Sequence, residues 1–153
     1  MLRDPSLIPL SHQHQHGLAL CVMIERGLQE DRSPENTARL ARRVADTFEL
    51  ELRNHFDVEE RILFPAIREK LGPTPQVEEL VADHRRLEGL VERVAKAEGE
   101  NRARALLELA GVLSRHIRLE ERELFEDIQK RLPCEKLQEL GRAIDAGVVR
   151  VCL

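Results

Sequence analysis

The 153-residue sequence contains no tyrosine and no tryptophan, and four phenylalanines are its whole aromatic complement. A chain without tyrosine cannot relay an oxidising equivalent through a tyrosyl radical. Cysteine is scarce too: Cys21, Cys134 and Cys152 are odd in number, far apart, and form no C-x-x-C pair. That spacing argues against a disulfide framework and a cysteine-built zinc site, and it fits a reducing compartment. No stretch approaches the roughly 18 apolar residues of a membrane span, and "MLRDPSLIPLSHQHQHG" lacks a basic start followed by an apolar run. The expectation is a cytoplasmic protein with no membrane association. Excess positive charge is also missing. The formal net charge is -4 and basic residues are scattered among acidic ones, so there is no electrostatic footprint for nucleic acid.

What remains is helical. Charged residues make up 34% and hydrophobic ones 42%, with eight Gly and seven Pro, the balance of a compact helix-rich domain. A first helix is expected from about 6 to 30. Ser33 and Pro34 then open a second that runs to about Leu71, before "LGPTP". Thr74 and Pro75 start a third, which Gly99 ends, and a fourth spans about 101 to 132. "CEKLQELGRAIDAG" reads as a short fifth helix, followed by an apolar tail, "GVVRVCL", able to cover one bundle end or a neighbouring subunit. Nothing alternates with period two, so no strand is expected. The reading is one all-α domain over 1–153: an up-down-up-down four-helix bundle at about 6–132, with the short helix and tail at 133–153. Pro65, inside the second helix, deletes a backbone hydrogen bond and predicts a bend just past residue 64.

Two stretches repeat almost residue for residue, "HFDVEERILF" from His55 to Phe64 and "HIRLEERELF" from His116 to Phe125. At about 100° per residue, His55 and Glu59 share one helix face, as do His116 and Glu120. Leu52 and Ile62 mark the first face as inward; Leu109, Leu113 and Leu124 mark the second. An inward carboxylate beside an inward imidazole demands a partner, because burying it alone costs several kcal/mol. Glu60 and Glu121, about 140° from the histidines, read instead as solvated charges. Glu123 and Asp127 continue the stripe toward a solvated helix end.

Two further helices carry an inward histidine. His84 lies on a stripe with Val77, Leu80, Leu87 and Val91. In the first helix His14 shares a stripe with Leu10, Gly17, Cys21, Ile24 and Leu28, whereas His12 and His16, four apart, form a competing pair on a weaker stripe. One inward His is more often a hydrogen-bonded core residue than a ligand. Four imidazoles and two carboxylates converging in one bundle core make a nitrogen and oxygen cage for transition metal, two ions bridged by the glutamates being the simplest arrangement.

The segments "LSHQHQHGLAL", "HFDVEERILFP", "DHRRLEGL" and "HIRLEERELF" resemble the hemerythrin-like proteins, the HHE cation-binding family, over about residues 5–132. The resemblance implies a four-helix bundle around two oxo- or hydroxo-bridged iron ions, with zinc or a mixed metal as the alternative occupant. Terminal ligands would be His14, His55, His84 and His116, with Glu59 and Glu120 bridging. It further implies a small diatomic ligand, oxygen or nitric oxide, bound or sensed. An enzyme acting on reactive oxygen or nitrogen species, or an iron storage, delivery or repair role, stands as the alternative. Oxygen carriers of this family place a second histidine one turn after the third-helix ligand. Here that position is Glu88, an additional candidate ligand.

Overall fold

The computed structural model describes residues 2–151. Asp4 accepts a hydrogen bond from the Ser6 amide and starts a 3-10 turn, Pro5–Leu7, leading into α1, Ile8–Glu30. Ser33 caps α2 by accepting from the Asn36 amide, and Pro34 takes a first-turn position that needs no N–H. α2 (Pro34–Thr47), α3 (Arg53–Val58) and α4 (Phe64–Leu71) form one rod, interrupted by π turns at Phe48–Leu52 and Glu59–Leu63. Gly72, at φ 76°, ends it in the region that glycine tolerates best. α5 spans Pro75–Lys96. α6 (Gly99–Leu119), a π turn at Glu120–Leu124 and α7 (Phe125–Arg131) make the fourth rod, and α8 (Cys134–Gly147) packs back on the N-terminal 3-10 turn. Among the described residues there is no strand, and the architecture is the expected all-α up-down-up-down bundle with a short fifth helix. No described helix is long and apolar enough to cross a membrane.

Two local expectations need correction. The Thr74 hydroxyl donates to the Gly72 carbonyl and caps nothing on α5. The departure from regular helix lies within the repeated motif and not just past it. Phe64 N–H reaches back five residues to Glu59 O, and Phe125 N–H does the same to Glu120 O. The second motif has Glu126 where the first has Pro65, so the proline is not what the two π turns share. Each begins at the glutamate of a His-x-x-x-Glu pair.

The apolar core is divided. One cluster gathers Leu20, Ile24, Leu40, Val44, Leu87, Leu106 and Leu113, while the other gathers Leu10, Leu63, Ile67, Leu80, Leu124 and Ile128 with Leu137, Leu140 and Ile144 of α8. Each long rod passes through both. On α5, Leu80 belongs to one cluster, Leu87 to the other, and the fully buried His84 lies between. A polar layer therefore separates two hydrophobic halves, which hold its side chains in place from above and below.

Two helical glycines differ sharply in surroundings. A Cβ at Gly141 would lie 3.0 Å from both Cα and Cβ of Ser6, whereas one at Gly89 meets nothing within 4 Å. Gly141→Ala is expected to destabilise by about 1–3 kcal/mol, since backbone must move. Gly89→Ala should stabilise by about 0.4–1 kcal/mol through the unfolded chain. Urea midpoints of the two variants, moving in opposite directions, check the packing of α8.

Candidate metal centre

All six side chains expected to converge do so. His14 comes from α1, His55 from α3, His84 from α5 and His116 from α6, while Glu59 and Glu120 open the two π turns of the repeated motif. None is more than 3% exposed. They fall into two overlapping sets, His14–His55–Glu59–Glu120 and His84–His116–Glu59–Glu120, with the candidate ligand atoms of each set within 4.8 Å of one another. Both carboxylates belong to both sets.

The carboxylates are divided in a specific way. Glu59 Oε1 lies 2.7 Å from His55 Nε2 and 3.8 Å from His14 Nε2, while its Oε2 lies 3.0 Å from His84 Nε2. Glu120 Oε2 lies 2.6 Å from His14 Nε2 and 3.8 Å from His55 Nε2, and its Oε1 lies 3.5 Å from His116 Nε2. Each glutamate thus gives one oxygen to each histidine pair. Despite these short separations, all four carboxylate oxygens and the Nε2 atoms of His84 and His116 lack a hydrogen bond of acceptable geometry. His14 Nε2 and His55 Nε2 face each other at 3.0 Å. Four buried carboxylate oxygens without hydrogen bonds, converging with imidazole nitrogens, suit a shared cation, and imidazole plus carboxylate is a donor set that transition metals accept.

Behind each imidazole sits an acceptor for its other nitrogen. His14 Nδ1–H donates to Glu121 Oε1 at 2.7 Å, His84 Nδ1–H to Glu60 Oε2 at 2.8 Å, His55 Nδ1–H to Gln13 Oε1 at 2.9 Å and His116 Nδ1–H to Asp83 Oδ2 at 3.4 Å. These bonds orient each ring with Nε2 turned inward, where a lone pair becomes available once its proton is lost. Glu60 and Glu121 are accordingly not the solvated charges that regular helix geometry predicts. A π turn holds one residue more than an α turn, so the residue after the inward glutamate also reaches the core side. Its recurrence in both copies, "EER", was the available sequence signal. For Gln13 and Asp83 the signal was a polar residue directly before each first inward histidine.

Aromatic packing completes the enclosure. Phe125 stacks on His14 at 5.5 Å, Phe64 on His84 at 5.9 Å and Phe56 on His84 at 4.0 Å between ring centroids. Three of four phenylalanines are thereby committed to imidazoles, which explains why so few suffice. Gly17, three residues after His14, lets α1 lie close to α6: a Cβ there would meet Ile117 Cδ1 at 2.9 Å.

Other candidates stand apart. His12 is exposed, and His16 Nδ1 pairs instead with the buried Glu51 at 2.8 Å. Glu88 is half-exposed, pairs with Arg85 at 3.3 Å and does not join the buried ligand sets. Asp127 pairs with Arg131 and Glu123 is exposed. Cys21 is buried and its thiol pushed up to about 12 by burial and the nearby Glu25, while Cys134 is free and exposed. Residues 148–151 of the tail lie on the bundle, with Val149 N–H donating to Asn54 Oδ1 at 2.9 Å. Cys152 and the end of the tail lie outside the described residues.

The electrostatics follow from proximity. Burial lowers the proton affinity of His14, but the adjacent Glu120, with Glu121 and Glu59, outweighs it and holds the imidazole well above its usual range. His55 is likewise raised against burial by Glu59 and Glu120, and His84 by Glu59, Glu120 and Glu60. Glu59, opposed by burial, is drawn well below the ordinary carboxylate value by His55, His14 and His84. Glu120, opposed by burial and by Glu59, is drawn down by His116 and His14. Burial opposes ionisation of Glu121 as well, but bonds from His14 and Ser11, with Arg3 beside it, bring it to about 2. Two fully buried carboxylates held in their ionised form attract cations.

A helical bundle with histidines and shared carboxylates in its core defines the class of bundle-core metal-binding proteins. The model of one family, the Hemerythrin HHE cation binding domain, matches residues 9–128, and the chain belongs to that family. Neither a curated protein nor a solved structure matches it.

Proposed function

We propose that this chain is a single-domain, non-haem di-iron protein that binds or senses a small diatomic ligand, oxygen or nitric oxide. His14 and His55 hold one ion and His84 and His116 the other, with Glu59 and Glu120 bridging. The observation carrying this reading is the splitting of both carboxylates, one oxygen toward each histidine pair. Iron in such a cage would supply a change of oxidation state and open coordination positions. The protein's own contribution is to fix the tautomers through Glu121, Gln13, Glu60 and Asp83, and to exclude water with Phe56, Phe64 and Phe125.

Glu88 favours a second reading, an enzyme acting on peroxide or nitric oxide. Four imidazoles and two carboxylates would leave part of the coordination of two iron ions to exogenous ligands. Glu88, paired with Arg85, would not close those positions, which favours reaction over reversible binding. Metal analysis of purified protein, then absorption spectra of the reduced form in air and after degassing, test both readings. Two irons per chain and slow conversion to the oxidised form are expected. One zinc and no iron would overturn the di-iron reading. An adduct that releases oxygen fully on degassing would restore a carrier role, and turnover of added peroxide or nitric oxide would establish the enzyme.

A further inference from the structure

The polar parts of the site repeat between two helical hairpins. The first hairpin gives His14, His55, Glu59 and Glu60; the second gives His84, His116, Glu120 and Glu121. Glu60 of the first backs His84 of the second, and Glu121 of the second backs His14 of the first. Phe64 and Phe125 cross over in the same sense. Within each hairpin, the residue directly before the first histidine backs the second one: Gln13 for His55, Asp83 for His116. There the match breaks, because one residue is a neutral amide and the other a carboxylate.

We infer that the Gln13 and Asp83 pair makes the two metal positions unequal, with Gln13 a positioning residue that leaves the His14–His55 position the weaker. The inference rests on the two-ion reading above. A carboxylate accepting from imidazole Nδ1–H raises the electron density at Nε2 more than a neutral amide does. Behind His84 and His116 stand two carboxylates, Glu60 and Asp83, with Arg85 paired to Glu60. Behind His14 and His55 stand one carboxylate, Glu121, paired with Arg3 at 2.8 Å, and the Gln13 amide. The formal balance is one negative charge greater on the second side.

The Gln13 amide is itself held from outside. Its Nε2 donates to Asn54 Oδ1 at 3.2 Å and to Val149 O at 3.4 Å, so Oε1 is the atom left for His55. Asn54 Nδ2 donates to Gly147 O at 2.9 Å, and Asn54 Oδ1 accepts from Val149 N–H. The end of α8 and the tail thus orient Gln13, Gln13 orients His55, and among the described residues no other of the four imidazoles is backed in this way.

Zinc alone serves as the probe, titrated against a colorimetric chelator. Wild-type protein should bind two zinc ions with dissociation constants roughly tenfold or more apart. Gln13→Ala should weaken only the weaker step, roughly 10- to 100-fold. Asp83→Asn, at a partly exposed position that leaves the core intact, should weaken only the tighter step and bring the two together. In zinc-loaded protein with 15N-labelled histidine, the Nδ1–H signal of His55 should exchange faster with water in Gln13→Ala while that of His14 is unchanged. Two equal steps in wild type, or both variants acting on the same step, would overturn the inference while leaving two ions in place. One zinc per wild-type chain would instead overturn the two-ion reading beneath it.

Discussion

Glu59→Gln and Glu120→Gln are each expected to reduce bound metal per chain at least tenfold after dialysis, the largest loss of any single conservative change. Each carboxylate faces both histidine pairs with separate oxygens. An amide of the same size presents one neutral oxygen and turns an N–H₂ toward the other pair, so both ions lose a ligand and the charge that balances them. Glu60→Gln and Glu121→Gln should act differently. They keep a hydrogen-bond acceptor behind His84 and His14 but remove its charge, which should weaken binding roughly 10- to 100-fold without preventing saturation. Glu88→Gln should change nothing. Metal analysis across the five variants decides; equal losses at Glu59, Glu60, Glu120 and Glu121 would remove the distinction between bridging and backing roles.

The metal-free protein is expected to be most stable in mildly acidic solution and to weaken as the pH rises, the reverse of its metal-loaded form. His14, His55 and His84 are held above the ordinary value of 6.5, burial being outweighed by Glu120 and Glu59 beside them. Groups raised in this way contribute stability that is complete below about pH 6.5 and is lost as pH climbs through their folded values. Glu59, Glu120 and Glu121 are lowered from 4.5 despite burial. Their contribution is present above about pH 4.5 and lost as pH falls through their folded values. The maximum therefore lies between about pH 4.5 and 6.5, and stability is expected to fall as the pH rises beyond it through the folded values of the imidazoles. In the loaded form protons compete with metal for Nε2, so higher pH strengthens binding and adds stability. Urea denaturation of chelator-treated and metal-loaded protein across this range checks the crossing. A metal-free form most stable near pH 8 would show that the imidazoles are not ion-paired with the glutamates.

Much of the bundle was legible because its signals are local. Ser33 with Pro34, Gly72, and Pro133 before α8 mark ends that depend on a few adjacent residues. His14, His55, His84 and His116 were legible because periodicity of 3.6 separates inward from outward positions on a regular helix. Glu60 and Glu121 were hidden by the same rule, for the π turns displace the face on which it rests. For Gln13 and Asp83 the position before an inward histidine is visible but the partner is not: His55 and His116 lie 42 and 33 residues away on different helices. No single-helix pattern reports that pairing.

The correspondence between the two hairpins also bears on descent. Two copies of one hairpin, meeting about a twofold axis, would by themselves supply two imidazole pairs and two crossing carboxylates. In such a self-paired ancestor every substitution strikes both halves at once, so the two ions must stay alike. Joining the copies end to end through the loop at 72–74 removes that constraint, and a change in one half no longer alters the other. Gln13 opposite Asp83 is a difference of that kind.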